Sequence, residues 1–72
     1  MSIPEMHPVS SSNISAVGYD ADNKWVYVRF LDFSLYAYKG VPQNEFENLR
    51  TAAPVGSYLN RNYKNVYPYE RM

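Results

Sequence analysis

Aromatic and basic side chains are the residues of this chain whose types and spacing could do chemistry. Trp25, Tyr27 and Arg29 recur at period two, Tyr36 and Tyr38 repeat that spacing with Lys39 directly after them, and Arg61 and Lys64 lie near the C-terminus. Alternating along strands, such side chains form a platform on which nucleobases stack, at about 1–3 kcal/mol per base, while cations hold the phosphates. The same mixture of Trp, Tyr and Arg makes the hot spots of protein interfaces. Tyrosine at period two also packs well in half-buried strands. With eight tyrosines in 72 residues, the chain is building either a wet-edged core or a contact surface.

Other chemistries find too few groups. His7 is the only imidazole, so one chain cannot assemble a histidine metal site or a catalytic triad. The absence of cysteine removes thiolate ligands, a thiol nucleophile and disulfides, and fits a reducing compartment. For Ser10, Ser11 and Ser12 the possible activators are Asp20 and Asp22, whose spacing implies no contact; with Asn13 the serines suit backbone hydrogen bonding at the start of a strand. Asp20 and Asp22 lie in a run of turn residues, where side-chain capping accounts for them. Glu45 and Glu47 are two apart on a helix and do not face each other, so they read as dipole partners on a solvated surface. Gly18, Gly40 and Gly56 are isolated and form no phosphate loop. A non-enzymatic binding module is expected, with no catalytic residue, metal or cofactor.

The elements that must position the aromatic residues follow from periodicity. Ile14 to Tyr19 is rich in β-formers, Asp20-Ala21-Asp22-Asn23 makes a turn, and Lys24 to Phe30 alternates with Val26, Val28 and Phe30 on one face and Trp25, Tyr27 and Arg29 on the other. Gly18 marks a bulge or a close backbone approach. A third strand runs from about Leu35 to Lys39, and its register decides the surface. A two-residue loop at Asp32-Phe33 sets Arg29 opposite Tyr36 and Tyr27 opposite Tyr38, gathering all the aromatics on an outer platform; a three-residue loop sends both tyrosines into the core with Val28 and Phe30. The first is favoured, because Leu35 and Ala37 then complete an aliphatic inner face.

Pro42 starts a helix of about 11 residues carrying Phe46, Leu49 and Ala53 on one side. Pro54 ends it, Ser57 caps a second helix whose stripe is Leu59, Tyr63 and Val66, and Pro68 stops that one. The fold class expected is α+β: a three-stranded antiparallel meander followed by two short helices packed on one face, residues 10–72 forming one domain behind a flexible arm of residues 1–9. Seven Lys and Arg balance seven Asp and Glu, so the chain lacks the basic excess of many nucleic-acid binders. No stretch approaches the roughly 20 apolar residues of a membrane span, and with no signal-peptide pattern a cytoplasmic location is expected.

Taken together, Ser11-Ser12-Asn13-Ile14, Gly18-Tyr19-Asp20, Val26-x-Val28-x-Phe30, Tyr36-x-Tyr38, Val41-Pro42, Gly56-Ser57-Tyr58-Leu59-Asn60 and Tyr67-Pro68 resemble the KTSC domain, over about residues 9–71. That family is named for a C-terminal segment of some lysyl-tRNA synthetases and occurs as short bacterial and phage proteins. The chain departs from the family pattern at Phe33, where the turn has glycine, at Pro54, where serine precedes the second helix, and at Tyr63, where isoleucine is usual. The resemblance implies RNA, including tRNA, as the partner. The nucleic-acid site expected is Trp25, Tyr27, Arg29, Tyr36, Tyr38, Lys39, Arg61 and Lys64. The alternative is a protein-interaction or self-association module using the same face or a sheet edge.

Overall fold

The computed structural model describes residues 4–72. Its strands are β1 (Met6–Pro8), β2 (Ile14–Asp20), β3 (Trp25–Phe30), β4 (Leu35–Tyr38) and β5 (Tyr69–Arg71), with helices α1 (Gln43–Thr51) and α2 (Val55–Asn62) between β4 and β5. All five strands join in one antiparallel sheet in the order β1-β2-β3-β4-β5. The α+β class and the two helices agree with expectation; the sheet has five strands rather than three. Both added strands are three-residue edges bordered by proline. Proline lacks an N–H to donate to the ladder and is tolerated where one side of a strand has no neighbour. Pro8 closes β1 opposite Ala16, and His7 sits half-buried opposite Val17. The C-terminal part of the expected arm is therefore paired backbone, and residues 1–3 lie outside the described residues.

Local chemistry sets each turn. Asp20 Oδ1 accepts from the backbone N–H groups of Asp22 and Asn23 at 3.1 and 3.4 Å, and its Oδ2 accepts from Asn23 Nδ2 at 2.9 Å. This is the capping expected of the β2–β3 turn. Between β3 and β4 the loop is three residues, Leu31 to Phe33. Phe30 N–H donates to Ser34 O at 2.9 Å, Phe33 N–H donates to Phe30 O at 3.0 Å, and Phe33 takes φ +71°. A turn followed by one left-handed residue is the usual three-residue hairpin connection. Asp32 Oδ1 fastens it by accepting from Ser34 N–H at 3.0 Å and Ser34 Oγ at 2.6 Å.

That loop length reverses the favoured register. Val28 pairs with Tyr36 and Val26 with Tyr38, while Tyr27 pairs with Ala37 and Arg29 with Leu35. Tyr36 and Tyr38 thus share the face of Val26 and Val28, which the helices cover. The main core joins Ile14, Val17, Val26, Val28 and Tyr38 of the sheet to Val41, Phe46, Leu49, Val55, Leu59 and Tyr63. α2 starts three residues earlier than expected: Pro54 precedes it without a side-chain cap, and Ser57 lies inside its first turn. Its buried stripe is consequently Val55, Leu59 and Tyr63, and Val66 is 61% exposed.

Tyrosine hydroxyls knit the layers together. Tyr63 is fully buried and donates to the Glu45 carbonyl at 2.9 Å, and Tyr19 donates to the Val41 carbonyl at 2.7 Å. The Glu45 carboxylate, expected on a solvated surface, accepts from the Tyr58 hydroxyl and so ties α1 to α2. Glu47 does stay at the surface, 3.7 Å from Arg50. Burial first, then the charge of Glu45, pushes the Tyr63 phenol far above its ordinary value.

The bulge in β2 falls between Ile14 and Ala16, not at Gly18. Gly18 is instead a close approach: a Cβ there would stand 2.7 Å from Met6 Sδ and 2.8 Å from the Glu5 carbonyl oxygen. Gly18→Ala is expected to cost about 1–3 kcal/mol, the usual range for overpacking, measured as a lower urea midpoint. A second expectation concerns alkaline pH. Because the folded Tyr63 phenol holds its proton more tightly than the unfolded one, its contribution is intact below about pH 10 and is lost above it, at up to about 1.4 kcal/mol per pH unit. Tyr63→Phe should be less stable by about 0.5–1.5 kcal/mol at neutral pH and lose stability less steeply above pH 10, as urea unfolding at several pH values would measure.

Candidate functional site

The register divides the expected site between two faces of the sheet. Trp25, Tyr27 and Arg29 lie with Leu35 and Ala37 on the face away from the helices. Tyr27 is only 4% exposed, covered by Met6 and Trp25, and offers no free ring. Lys39 is held over the Trp25 ring at 5.1 Å and pairs with Glu70 at 3.3 Å. Its charge is committed within the domain. Arg29 packs its Nε into this face without a hydrogen-bond partner.

On the helix-covered side, β4, β5 and the C-terminal half of α2 enclose a groove of about 350 Å³. Phe30, Tyr36, Tyr38 and Tyr69 form its aromatic wall, and Asn13, Asp32, Ser34, Asn60 and Lys64 supply polar groups. Three of the eight expected residues, Tyr36, Tyr38 and Lys64, meet here. Arg61 is exposed on another side of α2, near Ala53, Pro54 and Tyr58.

The rings are braced against each other. Phe30 meets Tyr36 edge-on with centroids 5.4 Å apart, and Tyr69 lies tilted 5.6 Å from Tyr36 and 5.4 Å from Tyr38. Edge-on and tilted contacts are favourable aromatic geometries that fix ring orientation. Tyr38 is buried against Tyr63, and burial, followed by its tyrosine neighbours, raises its phenol. Tyr36 is half-buried, and the Arg71 guanidinium stands 6.0 Å from its centroid. Hydrogen bonds from Ser34, reinforced by the Arg71 charge, hold the Asp32 carboxyl below its ordinary value. Lys64 and Asp32 are the charged side chains of the groove lining, with Arg71 next to Tyr36.

Two stretches far apart in sequence close one end. A Cβ on Gly56 would come 3.0 Å from Asn13 Oδ1 and 3.7 Å from Ser11 Oγ, so α2 approaches the start of β2 at a glycine. Ser11 Oγ donates to Asn13 Oδ1 at 3.1 Å and accepts from the N–H of Ile14 at 3.3 Å. Serine and asparagine there do the backbone bonding expected of them, and Asn13 also faces the groove. Reading the sequence for aromatic and basic residues missed Asn13, Phe30, Ser34, Asn60 and Tyr69. The signal in the sequence is the co-occurrence of Ser11-Ser12-Asn13 with Gly56-Ser57-Tyr58-Leu59-Asn60, two segments that only the fold brings together.

Among the described residues no three His, Asp or Glu side chains gather to hold a metal. Fold and groove define a small single-sheet α+β domain presenting one aromatic-walled cleft of ligand size. The chain belongs to the KTSC domain family, whose model matches residues 10–67. It is 38% identical over 55 residues to a protein from Tsukamurella paurometabola, a match covering 76% of this chain and 82% of that one. A crystal structure of a KTSC domain protein from Yersinia pestis matches with a TM-score of 0.89 at 31% identity, covering 94% of this chain and 96% of that one.

Tyrosine nitration tests the register. Tyr69 is expected to react with tetranitromethane, and Tyr27, Tyr38 and Tyr63, each no more than 5% exposed, to be protected in the folded protein, as peptide mapping would read. Rapid nitration of Tyr38 would restore the outer-platform register.

Proposed function

We propose that this domain is a non-enzymatic module that binds RNA or another single-stranded nucleic acid in the groove between β4, β5 and α2, in the cytoplasm. One observation carries the reading: the half-buried Tyr36 ring, braced by Phe30 and Tyr69, opens into the same groove as Lys64 and two side-chain amides. A base stacks on that wall, Asn13 and Asn60 meet donors and acceptors on its edge, and Lys64 takes the phosphate. Fixed rings cost little ordering on binding.

Charge sets the strength. With a neutral chain and Lys64 and Arg71 as the cations near the groove, two phosphate contacts give a slope of log K against log salt of about −1.4 for a single strand. The affinity is accordingly modest.

NMR titration with single-stranded RNA, and with tRNA for its unpaired segments, should shift the amides of Tyr36, Asn60 and Lys64 and leave Trp25 and Arg29 unmoved. Tyr36→Ala should weaken binding by about 1–3 kcal/mol. Lys64→Ala should weaken all sequences alike and reduce the salt slope by about 0.7. The absence of shifts with every nucleic acid would sink the reading. If the protein then proved dimeric by light scattering, with broadening at β5, a self-association module would take its place.

A further inference from the structure

The tip of the β3–β4 hairpin combines two features that folding alone disfavours. Phe33 has φ +71° and is 85% exposed, with Leu31 beside it 54% exposed. A bulky residue at positive φ is a strained backbone position, and strain of this kind concentrates at ligand-contacting segments. The position suits glycine or asparagine, and a ring in water makes no packing contribution there.

The tip is nevertheless rigid. Leu31 N–H donates to the Asn13 carbonyl at 3.0 Å, Phe30 and Ser34 pair across its base, Phe33 N–H closes the turn on Phe30, and Asp32 binds Ser34 twice. Its place is specific as well. Asp32 and Ser34, the chain neighbours of Phe33 on either side, both line the groove that holds Tyr36 and Lys64.

We infer that Phe33 is a second stacking station at the mouth of the groove, taking the base next to the one held on Tyr36 and so making the site selective for strands over single nucleotides. The inference rests on the nucleic-acid reading of the groove and extends it to a further residue. Holding an exposed ring on an already ordered turn avoids the entropy of arranging it when the ligand arrives, and stacking on one ring accepts any base.

Phe33→Gly separates the contact from the fold. Glycine relieves the positive φ, which offsets its greater freedom in the unfolded chain, so the melting temperature should hold or rise. Phe33→Asn provides a second variant suited to the left-handed conformation. Both should bind a mixed-sequence single-stranded RNA hexanucleotide about 5- to 150-fold more weakly than wild type, one base's worth of stacking, and bind uridine 5′-monophosphate as wild type does. Phe33→Trp should retain hexanucleotide binding.

Should both variants bind the hexanucleotide like wild type while Tyr36→Ala does not, the inference falls and the groove reading stands. Equal weakening toward the mononucleotide would also overturn it, making Phe33 part of the groove's shape. Wild-type protein that binds neither probe would remove reading and inference together.

Discussion

The length of one turn governs this molecule. Three residues between Phe30 and Ser34 rather than two place Val28 opposite Tyr36, and because strand side chains alternate, that single unit assigns every ring of β4 to a face. Tyr38 is thereby committed to the core against Tyr63, Tyr36 to the wall of the groove, and Leu35 and Ala37 to the opposite side with Tyr27. Two forces hold the choice. The Asp32–Ser34 hydrogen bonds define the turn locally, and the helices offer an apolar cover to one face only.

Once the register is set, the tyrosines have distinct tasks. Tyr63 and Tyr19 pair their hydroxyls with backbone carbonyls, that of Glu45 in the first turn of α1 and that of Val41 in the loop before it, satisfying the rule that buried polar groups be bonded. Tyr58 joins the helices through a carboxylate. Among the tyrosines that line the groove, Tyr36 and Tyr69 combine partial exposure with bracing by other rings. An abundance that looked like one surface is therefore mostly interior carpentry, with a small remainder facing the groove.

The central hairpins and both helices were legible because alternation in Trp25–Phe30 and helical spacing at Phe46 and Leu49 are strong periodic signals. β1 and β5 were illegible because three residues beside a proline carry no period. The register differs from the expected one because Leu35 and Ala37 look like an inner face to a sheet with a single core, whereas here a second small cluster with Tyr27 buries them. Of the groove lining, Tyr36, Tyr38 and Lys64 stand out in the sequence as aromatic or basic residues at strand and helix spacing; Tyr69 does not, since its short strand carries no period. Trp25 and Lys39 failed to join them because a cation above an indole reads the same in sequence whether it awaits a phosphate or has already been neutralised by Glu70.

The position of β5 has a kinetic meaning. It pairs with β4 across everything from Lys39 to Pro68, the longest loop closure in the sheet, whereas β2, β3 and β4 zip through neighbouring turns. Long-range pairing reaches its reward only after the chain entropy of closure has been overcome, so the Tyr36–Tyr69 corner belongs to the late steps of assembly. A molecule seated in the groove against those two rings would hold the closed form against reopening, and the last strand to arrive would be the one a bound ligand keeps in place.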